Sequence, residues 1–275
     1  MKFGFSTIGC PDWLWKEILS VAKDLGYDGI EIRGLGADIY LPASKVFAPP
    51  NIPAILDDLN KLNMEIPCLT TGAHLFDINE KDSAFKEITA YIDQAASLKT
   101  PYIRILGDSE PHLNEPKPDS KSEALLEEQI NKLLPHAAVK NVTLLLETNG
   151  IYADSTKLKS FIEKINHPNL AVLWDIHHPI RVFNETVEDT YKTLKPWIRH
   201  VHVKDSVVTD GKVVYQMTGY GDIPIKETLK LLGSDGYNGY VVLEWVRRWN
   251  MELEGPGVVF SHFINAVKQM MEREV

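Results

Sequence analysis

The chain has 275 residues, 44% hydrophobic and 24% charged, an ordinary globular composition with enough apolar material for one large core. Its net charge of −9 and its lack of any Lys/Arg run weigh against a partner held by phosphate neutralisation, so nucleic acid is not an expected partner. Two isolated cysteines, Cys10 and Cys68, make neither a disulfide framework nor a zinc knuckle, and no segment approaches the length of a membrane span, so the expected setting is cytoplasmic with no membrane partner.

Along the chain, short β-branched runs alternate with amphipathic stretches long enough for helices, the pattern of βαβ units on a parallel sheet. The first strand is expected at Lys2–Thr7 and is followed by a helix at Leu14–Leu25; the next pairs are Gly29–Arg33 with Ile55–Leu62, Glu65–Thr70 with Ser83–Ser97, and Tyr102–Leu106 with Lys121–Val139. The second half repeats the arrangement, with Thr143–Glu147 and Ser155–Ile165, Ala171–Asp175 and Val187–Leu194, Arg199–Val203 and Ile225–Leu232, and Tyr240–Glu244 and Val258–Met271. Gly26, Gly236 and Gly239 punctuate helix ends, and Asp154 or Ser155 can cap the helix after the fifth strand. A hydrophilic segment with three prolines, Asp108–Ser122, reads as a loop over the strand ends. Eight units of roughly 34 residues and no linker predict one α/β domain over residues 1–275, a (β/α)8 TIM barrel. A doubly wound open sheet would use the same alternation, but Thr7-Ile8-Gly9-Cys10-Pro11-Asp12 lacks the glycine spacing that such a sheet places after its first strand.

In a barrel, chemistry belongs to the C-terminal ends of the strands. The last four strands end in Glu147, Asp175, His202 and Glu244. Three carboxylates at one depth would repel one another and lose solvation unless a cation shared the site, so these four are expected to ligate one divalent metal. The set is harder than a thiolate site and suits Mn, Mg, Co or Zn. His200 and His202 share parity about 7 Å apart along their strand, and His202, nearer the strand end, is the ligand. His178, three residues after Asp175, can turn back over the pocket as a substrate-binding group, with His177 as loop structure. His74, Lys204 and Arg247 are further substrate-binding candidates at strand ends, Lys204 standing against a solvated-lysine reading and Arg247, with Arg248, against simple charge balance. Arg104 and Glu31 occupy interior positions where a buried ion pair is expected. Trp13, Trp15, Trp245 and Trp249 lie beside the loops, where flat faces suit a sugar ring.

Leu-Leu-Leu-Glu147-Thr-Asn149-Gly150, Trp-Asp175-Ile-His-His178-Pro, His200-Val-His202-Val-Lys204-Asp205, Gly219-Tyr-Gly221-Asp-Ile-Pro224 and Val-Val-Leu-Glu244-Trp245 follow one another in this order. Together they resemble the xylose isomerase-like superfamily, in particular its sugar phosphate isomerase/epimerase branch, which includes ketose 3-epimerases and inosose dehydratases. The resemblance implies metal ligation by Glu147, Asp175, His202 and Glu244, and substrate contact by His178. It also implies that Glu147 and Glu244 act catalytically on opposite faces of a sugar or polyol-derived ketone, one removing and the other returning a proton through a metal-stabilised enediolate. A lyase expelling a β-hydroxyl from the same enediolate is the alternative, and a non-catalytic sugar-binding barrel is a third reading. The endonuclease class of the superfamily needs a trinuclear zinc site. Here Leu106-Gly107-Asp108 offers no histidine after the fourth strand and no Asp-x-His follows His202, which sets abasic-site cleavage aside. The sequence leaves homo-oligomerisation open.

Overall fold

Strands form at every β-branched run that the sequence marks. In chain order the elements are β1 (Lys2–Ser6), α1 (Trp15–Leu25), β2 (Gly29–Glu31), α2 (Ile52–Leu62), β3 (Cys68–His74), α3 (Lys81–Ser97), β4 (Tyr102–Leu106), α4 (Ser120–Val139) and β5 (Thr143–Glu147). They continue with α5 (Ser155–Ile165), β6 (Leu170–Asp175), α6 (His177–Phe183), α7 (Val187–Leu194), β7 (Ile198–Val203), β8 (Asp205–Thr209), β9 (Lys212–Gln216), α8 (Ile225–Ser234), β10 (Tyr240–Leu243) and α9 (Pro256–Glu272). The structure, a computed structural model, describes residues 1–107 and 120–272. The segment read as a loop over the strand ends therefore lies outside the described residues from 108 to 119, and its last three residues open α4. Along the main sheet the strand order is β2, β1, β10, β7, β6, β5, β4, β3, and β8 pairs only with β9. Among the described residues no helix is long and apolar enough to cross a membrane.

The chain divides into two units, residues 1–66 with 201–275 and residues 67–200. In the first, β1 lies parallel between β2 and β10, with Gly4 opposite both Gly29 and Val242. Its core is aromatic: Phe5 stacks on Phe260 with centroids 4.1 Å apart, Trp13 meets Phe260 edge-on, and the Tyr27 hydroxyl donates to the Phe260 carbonyl at 2.7 Å. α9 thereby clamps the outer face of β1. In the second unit β3, β4, β5 and β6 are parallel neighbours. Cys68, Leu145, Ala171 and Leu173 pack there as one buried apolar layer. Side chains alternate along a strand, so Leu145 and Glu147 share a face, as do Leu173 and Asp175. The apolar layer is thus the floor beneath the acids.

Four departures from the sequence reading have physical causes. Pro67 has no N–H to give a ladder, so Glu65 makes only an isolated bridge with Gly29 and β3 starts at Cys68. The strand then runs through an irregular register to His74, which is its last residue rather than part of the following loop. β2 stops at Glu31 because the Thr7 hydroxyl takes over the ladder, accepting from Arg33 N at 2.9 Å and donating to Gly34 O at 2.6 Å. His177 opens a short helix instead of sitting in a loop, since the Asp175 carboxylate accepts its N–H and Pro179 is tolerated in a first helical turn. The hairpin β8–β9 turns at Asp210-Gly211, both at positive φ, the geometry of a two-residue loop between twisted strands.

Phe260 is fully buried and makes two of the first unit's aromatic contacts, with Phe5 and Trp13. Phe260→Ala should cost about 3–5 kcal/mol of unfolding free energy, read as a lowered urea midpoint at unchanged slope. A loss below about 1 kcal/mol would mean that α9 does not anchor β1.

Candidate functional site

In the second unit, β5 and β6 end side by side in Glu147 and Asp175, both buried, with a carboxylate oxygen of each within 4.8 Å of the other. Thr148 locks the two strand ends together: its hydroxyl accepts from Asp175 N and donates to Asp175 O, both at 2.8 Å. Arg104 stands opposite Leu145 on β4, and its Nε lies 3.3 Å from Glu147 Oε2. The guanidinium offsets part of the charge that burial makes costly. Asp175 Oδ1 accepts the His177 backbone N–H at 2.9 Å, and His178 Nε2 lies 3.6 Å from Asp175 Oδ2. The first turn of α6 therefore brings His178 back over Asp175, as the spacing implied.

In the first unit an imidazole and an acid stand close together. His202 lies on β7, and Glu244 follows β10, its N–H donating to the Val203 carbonyl at 3.0 Å. His202 Nδ1 is 3.5 Å from Glu244 Oε1, while its Nε2 is 2.7 Å from Glu31 Oε2; His202 and Glu31 are both inaccessible to solvent. Lys204 Nζ lies 2.5 Å from Glu244 Oε2 and is also buried, which overturns the solvated-lysine reading. A lysine with β-strand parity to His202 is carried inward, where the glutamate compensates its charge.

Asp205 supplies the frame for this end. Its two oxygens accept from the backbone N–H groups of Ser206, Gly219, Gly221 and Ile223 at 2.7–3.2 Å. A Cβ at Gly221 would stand 2.1 Å from Asp205 Oδ1, so only glycine lets the backbone reach the carboxylate. The Lys-Asp and Gly-Tyr-Gly-Asp motifs are thus two halves of one knot. Sequence reading quoted both motifs without finding this contact, because nothing local links positions 14 to 18 residues apart.

The remaining candidates differ in character. His74 ends β3 and meets Phe76 edge-on at 5.8 Å. Arg247 Nη1 donates to Met251 O and Leu253 O, and Arg248 Nη2 to Gly36 O, so both guanidiniums brace backbone around the β10 end. Of the tryptophans expected to face a sugar, Trp15 is buried edge-on against Phe47, and Trp245 is buried with Nε1 bound to Glu254 O. Those two are packing residues. Trp249 is 54% exposed, with Arg33 over its ring.

A family model described as xylose isomerase-like TIM barrel matches residues 19–261, so the chain belongs to that family and its fold is the expected (β/α)8 barrel. Fructoselysine 3-epimerase of Shigella flexneri is 25% identical over 262 residues, spanning 92% of each chain. The probable 3-DHS dehydratase AsbF of Bacillus anthracis superposes over the full length of both chains with a TM-score of 0.77 at 18% identity. A xylose isomerase-like TIM barrel protein from Mycobacterium smegmatis in complex with magnesium matches over 97% of both chains with a TM-score of 0.69 at 15% identity.

Asp205→Ala removes a charged acceptor from several backbone donors at once and should lower unfolding free energy by about 3 kcal/mol, measured by urea denaturation. Asp205→Asn keeps one oxygen and should fall between that variant and the parent. Equal stability of all three proteins would show that the knot carries no weight.

Proposed function

We propose that this chain is a divalent-metal-dependent epimerase or isomerase of a sugar or polyol-derived ketone, with Glu147, Asp175, His202 and Glu244 as metal ligands. The observation that carries the reading is the buried donor set: three carboxylates and one imidazole, each offering a ligand atom. Formal charge fits a divalent ion. In the second unit two carboxylates, Glu147 and Asp175, face one guanidinium, Arg104, leaving one negative charge. In the first, Glu31 and Glu244 face Lys204 and His202, and since a ligating imidazole is neutral, one more negative charge is left. One M²⁺ balances both, and oxygen-rich sites of this kind suit Mg, Mn, Co or Zn.

Glu147 and Glu244 are the proton-moving groups. A carboxylate oxygen of one takes the proton from the carbon beside the substrate carbonyl, and the other returns it to the opposite face, inverting that carbon. Arg104 and Lys204 fix the two carboxylates so that neither must be reoriented during transfer. His178, above Asp175, is the substrate hydroxyl contact, with His74, Lys204 and Arg247 as further contacts. When bound, the cation supplies the positive charge that offsets charge developing on the substrate's oxygens. Membership of a family whose matched relative is a 3-epimerase supports the reaction class.

The test is proton exchange. Protein stripped with EDTA and refilled with Mn²⁺, Co²⁺ or Mg²⁺ is incubated in D₂O with ketohexoses and inososes. The expected result is deuterium at the carbon next to the carbonyl together with the epimer, and none in the stripped protein. Glu147→Gln and Glu244→Gln should each lower turnover by about 10²- to 10⁴-fold. Enone or dione absorbance without epimer would place the chain among the lyases. Absence of stoichiometric metal uptake, with no exchange on any substrate, would refute the reading.

A further inference from the structure

We infer that Glu31, on β2, is the positioning residue for the metal ligand His202, fixing its imidazole so that Nδ1 is the nitrogen offered to the cation. The inference rests on the metal reading above. A carboxylate accepts and does not donate, so the 2.7 Å contact assigns the ring proton to Nε2. The other ring nitrogen, Nδ1, is on the side of Glu244, 3.5 Å from Oε1, and is the one that can turn a lone pair to a cation. Nδ1 and Oε1 are both donor atoms of the kind a divalent cation takes, and a shared ion suits them.

The backbone explains why Glu31 can do this. Ser6 pairs with Glu31 in the last register of β1 and β2, and immediately afterwards the Thr7 hydroxyl captures Arg33 N and Gly34 O. Glu31 is therefore the final strand residue before a clamped turn, with a rigid backbone on both sides. Neither Glu31 nor His202 is accessible to solvent, so water does not compete for the contact. An unsupported histidine on β7 could rotate about χ2 and present either nitrogen; the glutamate removes that freedom before metal arrives, and partners of this kind raise the basicity of the ligating nitrogen. The effect of Glu31 on the metal is exerted through His202.

The experiment compares the parent with Glu31→Ala and Glu31→Gln. Mn²⁺ binding to stripped protein is measured calorimetrically, and the His202 ring nitrogens are followed by long-range ¹H–¹⁵N spectra of the metal-free and Zn²⁺-loaded chains. Glu31→Ala should weaken Mn²⁺ binding by about 10- to 100-fold and lose the single protonated Nε2 signal, with the ring sampling both tautomers. Glu31→Gln, whose amide oxygen still accepts, should retain the Nε2–H signal and lose less affinity, a rescue that simple loss of packing would not give. Should the alanine variant fail to fold, the glutamine variant and the parent spectra decide. A parent spectrum with the proton on Nδ1, or an alanine variant with parental affinity and spectra, overturns the inference. A parent that takes up no metal but keeps Nε2–H fixed by Glu31 refutes the metal reading and supports the positioning role.

Discussion

The cost of placing carboxylates out of water governs this molecule's polar interior. Glu31, Glu147 and Asp175 are essentially inaccessible and Glu244 nearly so, and an isolated carboxylate in such surroundings would be untenable. Each is met by a specific compensating group: Glu147 by Arg104, Glu244 by Lys204, Glu31 by His202, Asp175 by a backbone N–H at the start of α6. These partners satisfy the acids one by one and leave a remainder of negative charge in each unit. Under the proposed function a divalent cation would take up that remainder. A purely structural role would be served better by apolar residues of the same volume, since buried ion pairs rarely add stability over them.

Holding such groups in place falls to short hydroxyl and carboxylate bridges at the strand ends. Thr7 joins the end of β1 to the turn after β2, and Thr148 joins the end of β5 to that of β6, each with one hydroxyl both accepting and donating. Asp205 does the same on a larger scale for the Gly219–Ile223 turn. Below the acids of the second unit lies the apolar layer of Cys68, Leu145, Ala171 and Leu173, while in the first unit the Phe5–Phe260 stack holds the outer face of β1. In each unit, packed strands and bridged strand ends hold the buried polar side chains at strand ends rather than on loops, where precise geometry is most easily kept.

Much of this was legible because it is periodic or terminal. β4, β5, α5 and α7 fall on the residues that the patterns indicated, since runs such as Thr143–Glu147 are apolar up to a single terminal acid. The reading strained where a single residue changes the backbone. Pro67 displaces β3, the Thr7 hydroxyl shortens β2, and the Asp175 carboxylate starts a helix at His177. The β8–β9 hairpin had its Asp-Gly signal in plain view between two valine-rich runs, yet eight strands already accounted for the pattern. Partnerships were the least legible part. Glu31 is 171 residues from His202 and Lys204 is 40 from Glu244, and parity says which face a side chain takes but not which neighbour it meets.

The tryptophans and arginines near the strand ends show how composition near a site can mislead. Trp245 directly follows Glu244, but strand alternation that turns the glutamate inward must turn the next residue outward, where Trp245 packs and binds Glu254 O. Arg247 and Arg248 come after the strand, where parity no longer applies, and their donors go to carbonyls at Met251, Leu253 and Gly36. A guanidinium has five N–H groups, so bracing a turn with one nitrogen does not consume it. The same bonds oblige both guanidiniums to stand at fixed positions.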